Sequence, residues 1–227
     1  FALHDRLLAR WLERSAPPEY DTIDGTASPV IIAGYGRYGQ IVSRVLRMCG
    51  IHFTALEANY QQVDFVRRFG NKVYFGDASR LELLEAAKAG EARLFVLAID
   101  DIEASVRTAQ VVRRHFPKLA ILARARNRTH WFRLRKLGIT AIYRETFPSS
   151  LETAHRALLQ LGLGVAAAER AITLFKHHDE EQLLTQYAVQ HDEAQLIQGA
   201  RDAAEQLKEL FEADAIGPQA GFPQVQK

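Results

Sequence analysis

The stretch VIIAGYGRYGQIVSRVL, residues 30–46, decides the fold of this chain. An apolar run is followed at once by three glycines spaced G-x-G-x-x-G, Gly34, Gly36 and Gly39, and then by a helix-like segment. In a dinucleotide-binding turn the first glycine allows the tight turn, the second lets a pyrophosphate approach the backbone, and the third allows close helix packing. The stretch therefore predicts a nucleotide phosphate held at a helix N-terminus.

The sequence around this turn alternates between strand-like and helix-like segments. The helix-like segments are amphipathic, for example residues 79–89 and 102–116. The strand-like runs are VIIAGYG (30–36), HFTALE (52–57), VYFGDA (73–78), LFVLAID (94–100), AILARAR (120–126) and AIYRE (141–145). This alternation predicts an α/β fold, a Rossmann-like doubly wound parallel sheet of about six strands with a helical C-terminal extension.

Composition shifts divide the chain into four predicted parts. Residues 1–28 are predicted to be a membrane-proximal basic helix and a linker, and the helix is either an ordinary N-terminal arm or the cytosolic exit from a membrane segment. Residues 29–162 hold the Rossmann domain, 163–215 a helical extension and 216–227 a disordered tail. Since the chain starts without Met, we expect a soluble fragment of a longer protein.

The overall composition excludes several classes of function. The formal net charge is +2, and the arginines have no interleaved aromatic platforms, so nucleic acid is not an expected partner. The single cysteine, Cys49, excludes a disulfide framework and indicates a reducing compartment. We expect Cys49 to be buried on the apolar side of its helix, and we expect neither nucleophilic catalysis nor a metal site.

Acidic residues close the strands that follow the glycine turn. Glu57 ends the second strand about 20 residues after the turn, where a carboxylate holds the ribose hydroxyls and repels the 2′-phosphate of NADP. Asp77 closes the third strand, and Asp100 and Asp101 close the fourth. Carboxyl ends of parallel strands share one edge, so these acids point to one crevice. The alternative for Asp77 and Asp101 is helix N-capping.

The sequence offers a binding site without a reaction. A dehydrogenase needs an acid or base beside the nicotinamide, but His52 starts a strand at the opposite edge and His115 ends a helix. We expect no substrate domain of useful size in the residues given after 164. We therefore expect a protein that is not an enzyme.

Two groups of side chains beyond the nucleotide turn stand out. On the first helix we expect a polar face (Gln40, Arg44 and Arg47) and a buried face (Ile41, Val42, Val45 and Leu46). Three arginines lie on or at the ends of predicted strands, where a guanidinium needs an anionic partner; they are Arg124, Arg126 and Arg144.

Long motifs in the same order resemble those of a known family. They are residues 30–46, RRFGNKVYFGDASRLELLEAA (67–87), LAIDD (97–101), HFPKLAILARARN (115–127) and YRETFPSSLETAHRALLQLGLG (143–164). They resemble the cytosolic KTN or RCK regulatory domain of Kef-type, glutathione-gated potassium efflux proteins. The resemblance covers roughly residues 30–176.

The resemblance implies a regulator of potassium/proton antiport at the cytoplasmic face of the bacterial inner membrane. Glutathione keeps the transport portion of the same protein closed, and electrophile adducts of glutathione open it. The family's domain is a homodimer with AMP or NAD(H) in the Rossmann site and glutathione at the interface between subunits. Some members bind a flavodoxin-like quinone oxidoreductase as an ancillary subunit.

Carried over by motif, the resemblance also implies site residues. The nucleotide site falls on Gly34, Gly36, Arg37, Tyr38, Gly39, Gln40, Glu57, Asp77, Ala78 and Asp100. The glutathione site falls on Arg44, Phe69, Arg144 and His178. Where the family has an asparagine after its ERAxxF helix, this chain has KHHDEE, so either His178 or Asp179 takes that place.

Two other functions remain open at this point. A KTN-type regulator of potassium transport that senses nucleotide alone would not need Arg44, Phe69 and Arg144 together. A small NAD-dependent oxidoreductase would show turnover. For Phe69, the alternative is a core residue that closes its helix.

Overall fold

The computed structural model describes residues 20–23, 27–70 and 72–188. The predictions for the N-terminal basic helix, for the disordered tail and for residues 189–215 lie outside this range. The described residues divide into two compact units: unit 1 holds those up to Ala125 together with Arg133–Tyr143, and unit 2 holds Arg126–Phe132 and those from Arg144 onward.

The described part contains the alternation that the sequence predicts. Its strands are β1 Val30–Ala33, β2 Phe53–Glu57, β3 Tyr74–Phe75, β4 Leu94–Leu97, β5 Ala120–Ala125 and β6 Ala141–Arg144. Its helices are α1 Arg37–Met48, α2 Tyr60–Arg67, α3 Leu81–Ala86, α4 Ile102–His115, α5 Arg128–Lys136, α6 Phe147–Gln160 and α7 Val165–Ala188.

The strands form one sheet in the order β3-β2-β1-β4-β5-β6. Strand β1 pairs in parallel with both β2 and β4, since Val30 lies opposite Phe53 on one side and Leu94 on the other. The chain runs outward from β1 to β3 and then returns to β4, so the strand order reverses beside β1. Ligands of doubly wound sheets bind at this switch point, at the carboxyl ends of the strands. The predicted Rossmann-like sheet is confirmed.

The centre of the sheet is apolar on both faces because helices cover both. All four residues of β1 are buried, and so are the central residues of β2 and β4. Such continuous apolar runs are typical of parallel strands buried on two sides. The sheet therefore gives a rigid base to the loops at its carboxyl edge.

Helix α1 packs on the sheet through only part of the predicted apolar face. Gly39 and Ser43 are its buried residues, and Val42 and Leu46 are half-buried against sheet residues such as Val30. Ile41 is 58% exposed and Val45 is 52% exposed, so the predicted burial of these two side chains is wrong. Small side chains let the helix backbone approach the sheet closely, and this turns the branched residues outward.

The prediction that Cys49 is buried is also wrong. Cys49 is exposed at the C-cap of α1, directly after Met48, which is 81% exposed. Helix α1 faces the sheet through Gly39 and Ser43, and the side chains at its C-terminal end therefore lie at the surface.

Unit 2 is helical in the described range, which confirms the predicted helical C-terminal part. Helix α6 ends at the LGLG segment, where Gly162 takes a positive φ of 93° that favours glycine. Helix α7 then runs from Val165 to Ala188, and the Phe147 and Phe175 rings of the two helices lie 6.4 Å apart. In the part of the chain that the structure describes, no helix is both long enough and apolar enough to cross a membrane.

Candidate functional site

The glycine turn leaves open space at one of its three glycines only. Gly34 has a φ of +92°, and a Cβ added there would lie 2.7 Å from the backbone nitrogen of Ile99. A Cβ on Gly39 would lie 2.1 Å from the carbonyl oxygen of Gly34. A Cβ on Gly36, by contrast, would meet nothing within 4 Å. Gly34 and Gly39 are therefore needed for the fold, whereas the space next to Gly36 is open to a ligand.

The first turn of α1 provides donors for an anion at this place. Gly36 is the N-cap of α1, has an extended backbone and has no side-chain cap, and Arg37 follows it on the exposed surface. The free N–H groups and dipole of a helix N-terminus favour negative charge. Together with the space above Gly36, this arrangement can hold a phosphate.

The Glu57 carboxylate is held beside the turn by two backbone donors. The Tyr35 N–H donates to Oε2 at 2.7 Å, and the Asn59 N–H donates to Oε1 at 2.9 Å. Each carboxylate oxygen keeps a second lone pair for a hydroxyl donor. The end of β2 therefore offers an oriented carboxylate next to the glycine turn, which is the position predicted for ribose recognition.

Tyr35 organises the turn, a role that the glycine spacing does not predict. Its side chain is 1% exposed, and the Ser43 hydroxyl donates to its phenolic oxygen at 2.9 Å. The Gln40 side-chain amide donates to the Tyr35 carbonyl at 3.2 Å. The signal in the sequence was an aromatic residue between two motif glycines, with a serine two helical turns later. Gln40, a predicted nucleotide residue, thus braces the turn from the half-buried side of α1.

The acidic turns after β3 and β4 differ in their local roles. The Asp77 carboxylate accepts from the Ser79 N–H at 2.9 Å, but the N-cap of α3 is Arg80, so the N-capping alternative is wrong for Asp77. Asp101 is the N-cap of α4 and accepts from the Ala104 N–H at 2.7 Å, so that alternative is correct for Asp101. Ala78 is buried beside Asp77.

Arg124 pairs with an anionic side chain of the same chain, Asp100. Its side chain is 5% exposed and pairs at 2.6 Å with Asp100, whose own side chain is 65% exposed. The Arg124 guanidinium also donates to the Ala98 carbonyl at 3.2 Å and lies 5.5 Å from the centre of the Tyr38 ring. Arg126, for which the sequence also predicts an anionic partner, is exposed. Arg124 therefore positions two predicted nucleotide residues, Tyr38 and Asp100, from below.

The sheet order places the predicted nucleotide residues along one edge. Asp77 follows β3, Glu57 ends β2, the glycine turn follows β1 and Asp100 follows β4, and these four strands are consecutive neighbours. Among residues 20–23, 27–70 and 72–188, no group of three or more His, Cys, Asp or Glu side chains is placed to hold a metal ion.

The predicted glutathione residues of unit 1 are both exposed. Arg44 lies on α1 and its Nε donates to the Gln40 carbonyl at 3.3 Å. Phe69 lies in the turn after α2, is 69% exposed, and its ring lies 5.1 Å from that of Phe65. Phe69 is not a core residue, which contradicts the alternative interpretation of this side chain.

The predicted glutathione residues of unit 2 lie near a buried carboxylate. Arg144, at the end of β6, pairs with Asp179 of α7 at 2.5 Å, and Arg128 of α5 pairs with the same carboxylate. His178, the predicted alternative to Asp179, is the neighbouring half-buried residue on α7. Asp179 therefore contacts Arg144 directly.

Two family models match this sequence, one after the other. Residues 30–145 match the TrkA-N domain, and residues 149–221 match the domain described as the potassium efflux system KefB C-terminal domain. The chain belongs to the TrkA-N domain family. The first match spans the sheet and its glycine turn, and the second begins within α6. In this chain a TrkA-N domain is therefore followed by a Kef-type C-terminal domain, which confirms the resemblance to Kef proteins.

Curated relatives of this TrkA-N domain chain are glutathione-regulated potassium-efflux system proteins. KefC of Salmonella arizonae is 36% identical over 196 residues, which cover 86% of this chain and 32% of that protein. KefC of Escherichia fergusonii is 40% identical over 174 residues, which cover 77% of this chain and 28% of that protein. The chain thus spans about a third of the length of these relatives.

Solved structures share the fold of this TrkA-N domain. The Kef C-terminal domain of Shewanella denitrificans in its AMP-bound form is 42% identical with a TM-score of 0.64, covering 70% of this chain and 98% of that one. The GsuK channel bound to NAD is 21% identical with a TM-score of 0.53, covering 69% of this chain and 29% of that one. The second likeness shows the fold alone.

Proposed function

We propose that this chain is the nucleotide-binding regulatory part of a potassium/proton efflux protein of the Kef type. The observation that carries this proposal is the open space at Gly36 beside the oriented Glu57 carboxylate, in a chain whose two parts match the TrkA-N and KefB C-terminal models. The transport portion would lie elsewhere in the same protein, at the bacterial inner membrane. The regulatory part would face the cytoplasm.

AMP or NAD(H) is the proposed resident nucleotide. Its phosphate would sit over Gly36 at the start of α1, and its ribose hydroxyls would donate to Glu57. The similar Kef domain of Shewanella denitrificans is in an AMP-bound form, and the GsuK channel, which shares the fold, is bound to NAD. The remaining contacts would come from Gly34, Arg37, Tyr38, Gly39, Gln40, Asp77, Ala78 and Asp100.

Glutathione and its S-conjugates are the proposed regulatory ligands. A tripeptide with two carboxylates suits two arginines, and we assign Arg44 and Arg144 to them. Phe69 would report the bulk added at the sulfur, because an exposed ring can be displaced without opening the core. Gating follows when glutathione and its conjugates bind the closed and open states with different free energies. Either His178 or Asp179 takes the place of the family's asparagine next to this site.

A homodimer is the proposed assembly. Ile41, Val45 and Met48 lie at positions i, i+4 and i+7 of α1 and are 58%, 52% and 81% exposed. Three large apolar side chains on one stripe favour a partner surface over solvent. Arg44 lies on the same helix, so a glutathione site at this interface would draw residues from both subunits. A flavodoxin-like quinone oxidoreductase is a proposed further partner.

Calorimetry on this chain tests the proposed function. We expect glutathione and an N-ethylsuccinimido conjugate to bind competitively, and Arg44→Ala to weaken both by at least about tenfold, as expected for hydrogen bonds to a charged group. Arg47→Ala is the matched control, since Arg47 is also an exposed arginine of α1.

The other outcomes separate the competing functions. If AMP or NADH binds while neither glutathione nor the conjugate does, the chain is a regulator that senses nucleotide alone. Turnover of a nicotinamide nucleotide would instead indicate an oxidoreductase, and the proposal that this chain is not an enzyme would fall.

A further inference from the structure

One buried carboxylate of unit 2 lies between two arginines. The Asp179 side chain on α7 is 11% exposed, and its Oδ2 lies 2.5 Å from Nη1 of Arg144, whose side chain is 13% exposed. Its Oδ1 accepts a hydrogen bond from Arg128, which also donates to the Gln186 side chain at 2.7 Å. Two guanidiniums thus converge on the volume of a single carboxylate.

The two contacts of this carboxylate differ in quality. Oδ1 accepts a hydrogen bond from Arg128, whereas the buried Oδ2 lies 2.5 Å from Arg144 and has no hydrogen bond of adequate geometry with any described residue. The contact with Arg144 is therefore mainly Coulombic. A carboxylate that is poorly aligned with a guanidinium forgoes part of the strength of a charge-assisted hydrogen bond.

Arg144 is held in place by more than Asp179. Its guanidinium carbon lies 3.7 Å from the centre of the Phe147 ring, which is a cation–π contact. Neither this contact nor the hydrogen bond from Arg128 to Gln186 involves the Asp179 carboxylate. The arginine pair is thus preorganised for a carboxylate, whichever molecule supplies it.

We propose that Arg128 and Arg144 form a carboxylate-binding subsite that Asp179 occupies from within the chain, so that a ligand carboxylate binds only by displacing Asp179. The assignment of glutathione to this subsite rests on the proposed function, but the occupancy by Asp179 does not. Asp179 also opposes the binding of a ligand carboxylate. An ionised carboxylate only accepts hydrogen bonds, and it repels a second carboxylate nearby. The proposal thus adds Arg128 to the ligand-binding residues, although the sequence does not predict it as one of the glutathione residues.

Chemical rescue tests the occupancy with acetate as the probe. Asp179→Ala opens a carboxylate-sized gap between the arginines and should lower the thermal unfolding midpoint of the chain. We expect sodium acetate to raise that midpoint more than sodium chloride of equal ionic strength does. The wild-type chain and Glu180→Ala, a matched control at an exposed acid of the same helix, should show no acetate-specific shift. A response of Asp179→Ala to acetate no larger than that to chloride overturns the proposal.

Asp179→Asn supplies the second arm and keeps the shape of the side chain. We expect it to bind glutathione at least about tenfold more tightly than the wild-type chain does, the gain of one hydrogen bond to a charged group. If Asp179→Asn binds glutathione no more tightly than the wild-type chain does, a ligand does not displace Asp179. This second variant decides the question if Asp179→Ala fails to fold in both salts. Acetate rescue without glutathione binding to any variant supports the subsite and removes glutathione from the proposed function.

Discussion

Asp21 and Phe75 hydrogen-bond to each other in both directions. The Asp21 N–H donates to the Phe75 carbonyl at 3.0 Å, and the Phe75 N–H donates to the Asp21 carboxylate. Arg67 pairs with the same carboxylate and donates to the Val73 carbonyl at 2.7 Å. The Tyr20 ring lies 5.1 Å from the Phe75 ring. The segment that precedes the first strand is thereby attached to the sheet at β3 and to the end of α2.

This attachment predicts a measurable contribution of Asp21 to stability. Asp21→Ala removes the acceptor of two charge-assisted hydrogen bonds at a partly exposed position, and we expect a loss of about 1–2 kcal/mol in the free energy of unfolding. Asp64→Ala is the matched control, since Asp64 pairs with Arg68 on the exposed face of α2 and should change that free energy by less than about 0.5 kcal/mol. Urea denaturation measures both variants, and equal losses would contradict the role given to Asp21.

The glycine turn predicts opposite outcomes for two alanine substitutions. Gly39→Ala drives a Cβ to 2.1 Å from the Gly34 carbonyl oxygen, so the helix must move, and we expect a loss of about 3 kcal/mol or more in stability. Gly36→Ala adds a Cβ where nothing lies within 4 Å, so the chain should fold as the wild type does. The added methyl group would occupy the space proposed for the phosphate, and we expect AMP binding to be lost.

Thermal unfolding and AMP calorimetry on the same two preparations check this pair. Because each substitution adds one methyl group within the same motif, each serves as the control of the other. If Gly36→Ala binds AMP with wild-type affinity, the phosphate does not bind next to Gly36. The main support for the proposed nucleotide site is then lost.

The sequence was sufficient to predict the sheet and the edge on which the candidate site residues lie, because both follow from local patterns. Apolar runs predict the strands, and the glycine spacing places the turn at the end of β1. Helix α1 shows where such reasoning ends. Its apolar residues suggest a buried stripe, but Gly39 brings the backbone against the turn and leaves Ile41 and Val45 exposed.

Contacts between residues that are far apart in the sequence could not be predicted, for a related reason. Arg124 could be recognised as an arginine that needs an anion, but Asp100 lies 24 positions away in the chain, and only the pairing of β4 with β5 brings the two together. In the same way, Asp179 and Arg128 are 51 positions apart. A helical pattern gives the face of α7 on which Asp179 lies, but it does not name the residues that meet that face.

Glu57 predicts the choice of nucleotide. Glu57→Gln keeps the size of the side chain and one acceptor oxygen but removes the charge that repels a 2′-phosphate. We expect NADH affinity to fall by about tenfold, through one lost hydrogen bond to a charged group, and the preference for NADH over NADPH to shrink. Glu85→Gln on the exposed side of α3 is the control. Nucleotide calorimetry measures the ratio, and an unchanged ratio would remove Glu57 from ribose recognition.

The exposed stripe of α1 predicts the assembly state. Val45 is 52% exposed and lies between Ile41 and Met48 on that stripe, so Val45→Glu places a charge at its centre without entering the core. We expect this variant to sediment as a monomer at concentrations where the wild-type chain is a dimer, because a buried unpaired carboxylate opposes association. Gln110→Glu adds the same charge on the exposed side of α4 and should leave the dimer intact. A dimer that survives Val45→Glu must use another surface, and Arg44 would then lie away from the interface proposed to hold glutathione.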